Sequence, residues 1–268
     1  MTIYRSAASA LLLATLAACA PGDHAPSFAS KPYESFNRDD AVAIALREWR
    51  LFAQPVVDEP PGDRTLPLPA EKPERQAGLW QRVGEYWWIG LAADAPEVAW
   101  TGKHDGKGAV FPAAVDGSYA WSAAFVSYVM RIAGAGERFP YAPNHASYVN
   151  AAASGRSPIL RAEPPESYPP KRGDLICLGR KRAAALRFSD LPTSYSWPGH
   201  CAIVVAVEPG MLSVVGGNVE DAVSMTHVPL TPSGTLANPD HTVVDGRYPW
   251  FVVLELLYDA EREPAGDD

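Results

Sequence analysis

The 268-residue sequence has little cysteine, only Cys19, Cys177 and Cys201. Three are too few for a disulfide scaffold, and their positions lack the paired spacing of a zinc knuckle. Basic charge is also short. With 23 Lys and Arg against 31 Asp and Glu, the formal net charge is -8, which argues against a dedicated nucleic-acid binder. No apolar run reaches the roughly 20 residues that a membrane-spanning helix requires. A G-x-S-x-G elbow, a P-loop, an H-E-x-x-H pair and a complete G-x-G-x-x-G are all missing. His227 and His241 have no partners at metal-ligand spacing, so neither a metal nor a cofactor is expected. What the chain does have is 47% hydrophobic against 20% charged residues, enough apolar side chain to build a packed core.

At the N-terminus, Arg5 precedes an apolar stretch over residues 7–18 that is broken only by Ser9 and Thr15. That length suits the apolar region of an export signal. It closes on Leu16-Ala17-Ala18-Cys19, which resembles a bacterial lipobox. The resemblance implies removal of residues 1–18 and lipidation of Cys19. Because Ala20 rather than aspartate follows, it also implies anchoring on the periplasmic side of the outer membrane. Acyl chains hold a protein on a membrane surface without spanning it. The alternative is an ordinary secretory signal with a coincidental cysteine.

Residues 19–36 read as a proline-containing tether, 37–258 as a single α+β domain and 259–268 as an acidic tail. A helical part is expected over 37–150 and a sheet part over 171–258. Asn37 can cap a helix over 38–53, with Val42, Leu46, Trp49 and Ala53 at helical spacing. A second helix is expected over 77–91; its Tyr86-Trp87-Trp88 cluster fits core packing or a stacking platform. A third is expected over 119–133, capped by Asp116 or Ser118 and stopped by Gly134 and Gly136. Short β-branched runs follow at 174–178, 200–207, 211–216, 222–228 and 249–257. Helices first and strands afterwards predict an antiparallel sheet.

The chemistry-bearing residues fall in three pieces: Tyr119-Ala-Trp-Ser-Ala-Ala-Phe125, Gly173-Asp174-Leu175, and Gly199-His200 with Gly216-Gly217-Asn218. Pro209-Gly210 signals a turn, and a hairpin centred on it sets His200 across from Asn218, where an amide can orient an imidazole; the alternative is a structural histidine bonded to a turn. These pieces resemble the papain-like cell-wall peptidase superfamily of NlpC-type and CHAP-type enzymes. With Gly84-Glu-Tyr-Trp-Trp88 and Asn144-His-Ala-Ser-Tyr148, residues 38–257 resemble domain-of-unknown-function family 2272. The resemblance implies a papain-like fold, a helix packed on an antiparallel sheet with extra N-terminal helices. It puts Ser122 at the superfamily's cysteine position, with His200 and Asn218 completing the triad.

Serine cannot be ionised in advance as a thiol can, and Asn218 brings no charge to support an imidazolium. Three readings of Ser122 therefore stand. It belongs to a serine-type amidase or endopeptidase acting on cell-wall peptides, to an inactive groove that binds peptidoglycan or another envelope polymer, or to a plain helix–sheet contact. A structural tether is a further class. Trp121, His145 and Trp197 are expected to line the groove, with a plain structural role as the alternative for His145. Arg180-Lys-Arg182 reads as a solvated loop face or, alternatively, a contact for an anionic envelope polymer. Cys177 and Cys201 lie in apolar runs, and a core-thiol or disulfide role fits both. The long segment 179–199 is expected to wall the site. Partners are an envelope polymer and, through Cys19, a membrane; nucleic acid is not expected. If Cys19 carries lipid, Cys19→Ala abolishes incorporation of labelled fatty acid in cells; undiminished labelling would leave the cysteine coincidental.

Overall fold

Four helices come before the first strand in the computed structural model, which describes residues 35–259 except 62, 65–67, 69, 93, 113–114 and 116–117. Cys19 and the signal region lie outside the described residues, as does 260–268. The described part falls within one unit, Glu34–Asp268. Phe36, expected in the tether, is fully buried and stacks on Tyr258, so the packed domain already includes it.

Helix α1 spans Arg38–Leu51. Asn37 Oδ1 accepts from the backbone N–H of Asp39 at 2.7 Å and Asp40 at 3.4 Å. Acidic residues in the first turn and Arg50 in the last complement the helix dipole. Helix α2, Leu79–Gly90, buries Val83, Tyr86 and Trp87 and leaves Trp88 64% exposed, so the aromatic cluster serves mainly as core. The fully buried Glu48 of α1 accepts from Arg82 Nε at 2.6 Å and Tyr86 Oη at 2.8 Å, tying α1 to α2. Removing either charge would strand the other in a low dielectric.

Helix α3, Ser122–Ile132, is the central element, with every position from Ser122 to Met130 buried. It starts at Ser122 rather than 119, its N-cap is Trp121, and no side chain caps it. Of the expected caps, Asp116 lies outside the described residues and Ser118 precedes the helix. Gly134 follows with φ 90, as a helix stop requires. Helix α4, His145–Ala153, was not anticipated.

The sheet contains β1 (Leu160–Glu163), β2 (Leu175–Gly179), β3 (Gly199–Glu208), β4 (Met211–Val219), β5 (Ala222–Pro229) and β6 (Trp250–Leu256). Its order is β1-β6-β2-β3-β4-β5, with every neighbouring pair antiparallel. The fold is therefore α+β, as expected from the order of helical and strand patterns. The sheet starts at 160 rather than 171, because the four-residue β1 adds an edge to β6.

Alternation along the strands divides the apolar side chains into two cores. Leu175, Cys177, Cys201, Ile203 and Val205 join the helices. Ile176, Leu178, Ala202, Val204 and Val214 form a second core on the far face. Asp174 braces the start of β2, accepting from Lys171 N at 2.9 Å, Tyr168 Oη at 3.1 Å and Leu256 N at 3.2 Å.

Cys177 and Cys201 are register partners on β2 and β3 and are joined by a fully buried disulfide. It closes the chain around segment 180–198. For a sequence separation of 24, the chain-entropy account assigns about 3.5 kcal/mol to such a link. The double variant Cys177→Ala/Cys201→Ala should lose about that much stability in urea unfolding; unchanged stability would show that the staple is redundant.

Candidate functional site

Ser122 sits at the first turn of α3 and is 4% exposed. Its Oγ lies 2.6 Å from His145 Nε2. On the other side of that ring, His145 Nδ1 is hydrogen-bonded to Tyr148 Oη. Asn144 caps α4 by accepting from Ser147 N at 3.1 Å, which fixes His145 at the first helical position. Tyr148, three residues on, then lies on the same helix face. The partner of Ser122 is therefore His145, a residue expected only to line the groove.

His200 does not reach Ser122. Strand alternation sends it to the far face with Ala202 and Val204, while Cys201 points to the helices. Its imidazole packs over Gly216 of β4, where a Cβ would stand 2.7 Å from His200 Nε2, so a side chain there would displace the ring. The two histidine rings still meet at the sheet end, T-shaped, with centroids 5.7 Å apart.

Asn218 does not hold His200 either. The last pair of the β3–β4 ladder is Ile203 with Val215, short of His200, and the β4–β5 register shifts between Gly216 and Val219. Asn218 takes φ 55, and Glu220 and Asp221 in the same turn take φ 53 and 58. Such left-handed backbone turns the amide out of the ladder. His200 Nδ1 is buried without a hydrogen-bond partner among the described residues.

Two cavities flank this arrangement. One, of about 500 Å³, is lined by Ser122, His145, Trp197, Asn218, Arg180 and Lys181. The other, of about 430 Å³, lies on the far face against His200, Gly216, Tyr248 and Trp250, and shares Arg180, Lys181 and Asn218 with the first. Trp197 folds back over Gly199, where a Cβ would stand 2.3 Å from its ring. Segment 180–198 thus walls the site. Thr193 N donates to Asn150 Oδ1 at 2.8 Å, tying the wall to α4.

Trp121 is not in the groove. It is fully buried, donates from Nε1 to Glu74 Oε2 at 2.6 Å, and packs against Phe52 and Tyr86. Arg180 also departs from expectation: it turns into the cleft instead of facing solvent with Arg182. Among the described residues, no group of three His, Cys, Asp or Glu could hold a metal ion.

The electrostatics run in one direction. Burial, aided by the Arg180 charge, pushes His145 down from 6.5 to about 3. The same causes, with His145 added, hold His200 well below its ordinary value. The uncapped N-terminus of α3 adds further positive potential at Ser122.

Residues 74–256 match the family model described as "Uncharacterized protein conserved in bacteria (DUF2272)". The chain belongs to this family. Helix α1 lies outside the matched span, which is shorter than the 38–257 expected. No curated protein and no solved structure matches the chain. The cleft of this DUF2272 domain therefore has to be read from its own geometry.

Both imidazoles are neutral in the fold and charge in the unfolded chain below about pH 6.5. Their contribution to stability is full above that pH and is lost as pH falls below it, toward about 3 for His145. Asp174, which burial pushes up to about 6, acts oppositely, since the native state holds its proton first. The imidazole C2 protons of His145 and His200 should accordingly show no titration step by NMR between about pH 5 and 8. A step near 6.5 at either ring would overturn this electrostatic picture.

Proposed function

We propose that the protein is an envelope lipoprotein, anchored through Cys19, whose papain-like domain hydrolyses amide bonds in cell-wall peptides. The observation that carries the hydrolase reading is the 2.6 Å contact between Ser122 Oγ and His145 Nε2 at the uncapped start of α3. A nucleophile beginning a helix beside an antiparallel sheet supports the papain-like relationship, although the imidazole comes from α4 rather than from β3.

In this reading Nε2 accepts the Ser122 proton, and Nδ1–H donates to Tyr148 Oη, which fixes the tautomer. Ser122 Oγ attacks the amide carbon, and the N–H groups of the first turn of α3 stabilise the oxyanion. His145 passes the proton to the leaving amine as the C–N bond breaks. Water then adds to the ester, losing a proton to His145, and release of the acid returns that proton to Ser122. Burial, with the Arg180 charge added, keeps the resting imidazole in its base form at any pH above about 3.

A second reading makes the groove a non-catalytic binder of peptidoglycan. Its support is the same low value, since a base with so depressed a pKa has little driving force to take a proton. The opposite tautomer, with Tyr148 donating to Nδ1 and Nε2–H donating to Ser122, would leave the hydroxyl unactivated.

Purified sacculi incubated with the full-length chain in detergent separate the two. The hydrolase reading expects released peptides, a loss of at least about 100-fold in Ser122→Ala and His145→Ala, and a smaller loss in His200→Ala. Co-sedimentation without release by the unaltered chain would favour the binder. Release that persists undiminished in both Ser122→Ala and His145→Ala would sink the proposed mechanism.

A further inference from the structure

Arg180 is a half-buried arginine that lines both cavities. Among the described residues its guanidinium makes no ion pair. The acidic residues nearby are already engaged, Glu220 with Arg64 and Asp221 with Lys72 at 3.1 Å. Lys181, next in sequence, also lines both cavities and makes no ion pair among the described residues. Trp197, on the Ser122 side, has a buried Nε1–H with no hydrogen-bond partner among the described residues. The field of Glu220 reaches Arg180, yet burial outweighs it and Arg64 opposes it. A charge withdrawn from water without a directly paired carboxylate costs several kcal/mol, so an arginine kept in this position marks a place where an anion belongs.

We propose that Arg180, assisted by Lys181, seats a carboxylate of the bound ligand in the cleft beside Ser122. The planar guanidinium matches a carboxylate with two parallel hydrogen bonds, and the start of α3 adds favourable potential. A dianionic phosphate fits less well, because Glu220 and Asp221 line the same cavity. The ligand class is a peptide with a free carboxyl group near the amide presented to Ser122. For that amide the inference rests on the hydrolase reading; the anion seat would serve a binding groove equally.

Binding is measured in the full-length Ser122→Ala chain, so the outcome does not depend on turnover. The probes are N-acetyl-D-alanyl-D-alanine, its C-terminal carboxamide, and inorganic phosphate, each titrated by NMR. The carboxylate probe should bind at least about ten-fold tighter than the carboxamide, and phosphate should not displace it at equal concentration. Adding Arg180→Gln should reduce that preference to below about two-fold, and Arg180→Lys should retain part of it. A folded Arg180→Gln chain is recognised by a Tm that does not fall, and loss of the nearby charge should raise the His145 and His200 pKa values. Equal binding of the two peptides, no binding of either, or a preference that survives Arg180→Gln would overturn the proposal. Displacement by phosphate would overturn the choice of a carboxylate. Failure of sacculus digestion, by contrast, would remove the hydrolase reading and leave this result standing.

Discussion

Strand β3 can send only every second side chain to the helices. Cys201 faces them because the disulfide to Cys177 holds it there. A one-residue slip would carry both Cys201 and its apolar neighbours to the wrong face. With Cys201 fixed, His200 must face away, over the space left by Gly216. Ser122, at the start of a helix on the other face, therefore takes its imidazole from elsewhere, and the neighbouring start of α4 supplies it. The same link closes the chain around 180–198, the segment that delivers Arg180, Lys181 and Trp197 to the cleft.

The cleft gathers positive potential while keeping its imidazoles uncharged. An uncapped helix start and Arg180, which makes no ion pair among the described residues, stand beside two rings whose burial, and then the Arg180 charge, raises the cost of protonating them. An anion seated at Arg180 would relieve that cost. Ligand binding would then raise the basicity of His145 toward the range useful for proton transfer, which links recognition to chemistry in one electrostatic term.

Much of the scaffold was legible. The cap at Asn37, the three longer helices and five of the six strands follow from periodicity and turn residues. Helix α4 and strand β1 escaped for a physical reason: nine and four residues are too short to display a stripe or an alternation. Asn144 followed by Ser147 was the available signal for α4, and it would have put His145 and Tyr148 on one face. The hairpin arithmetic around Pro209-Gly210 holds as far as Ile203 and Val215 and fails beyond them, because the irregularity between Gly216 and Val219 takes Asn218 out of simple facing. Trp121 was misplaced because a residue before a helix carries no mark of which side it buries.

The sequence by itself determined the α+β class, the residues able to do chemistry, and a serine rather than a cysteine at Ser122. These depend on local pattern and on the identity of side chains. Only the tertiary structure decided that Ser122 meets His145 rather than His200, and that Arg180 points inward rather than to solvent. Those outcomes depend on which face a strand presents, where its ladder slips and how a long connection folds back. They arise from contacts between segments distant along the chain, and local sequence does not encode them.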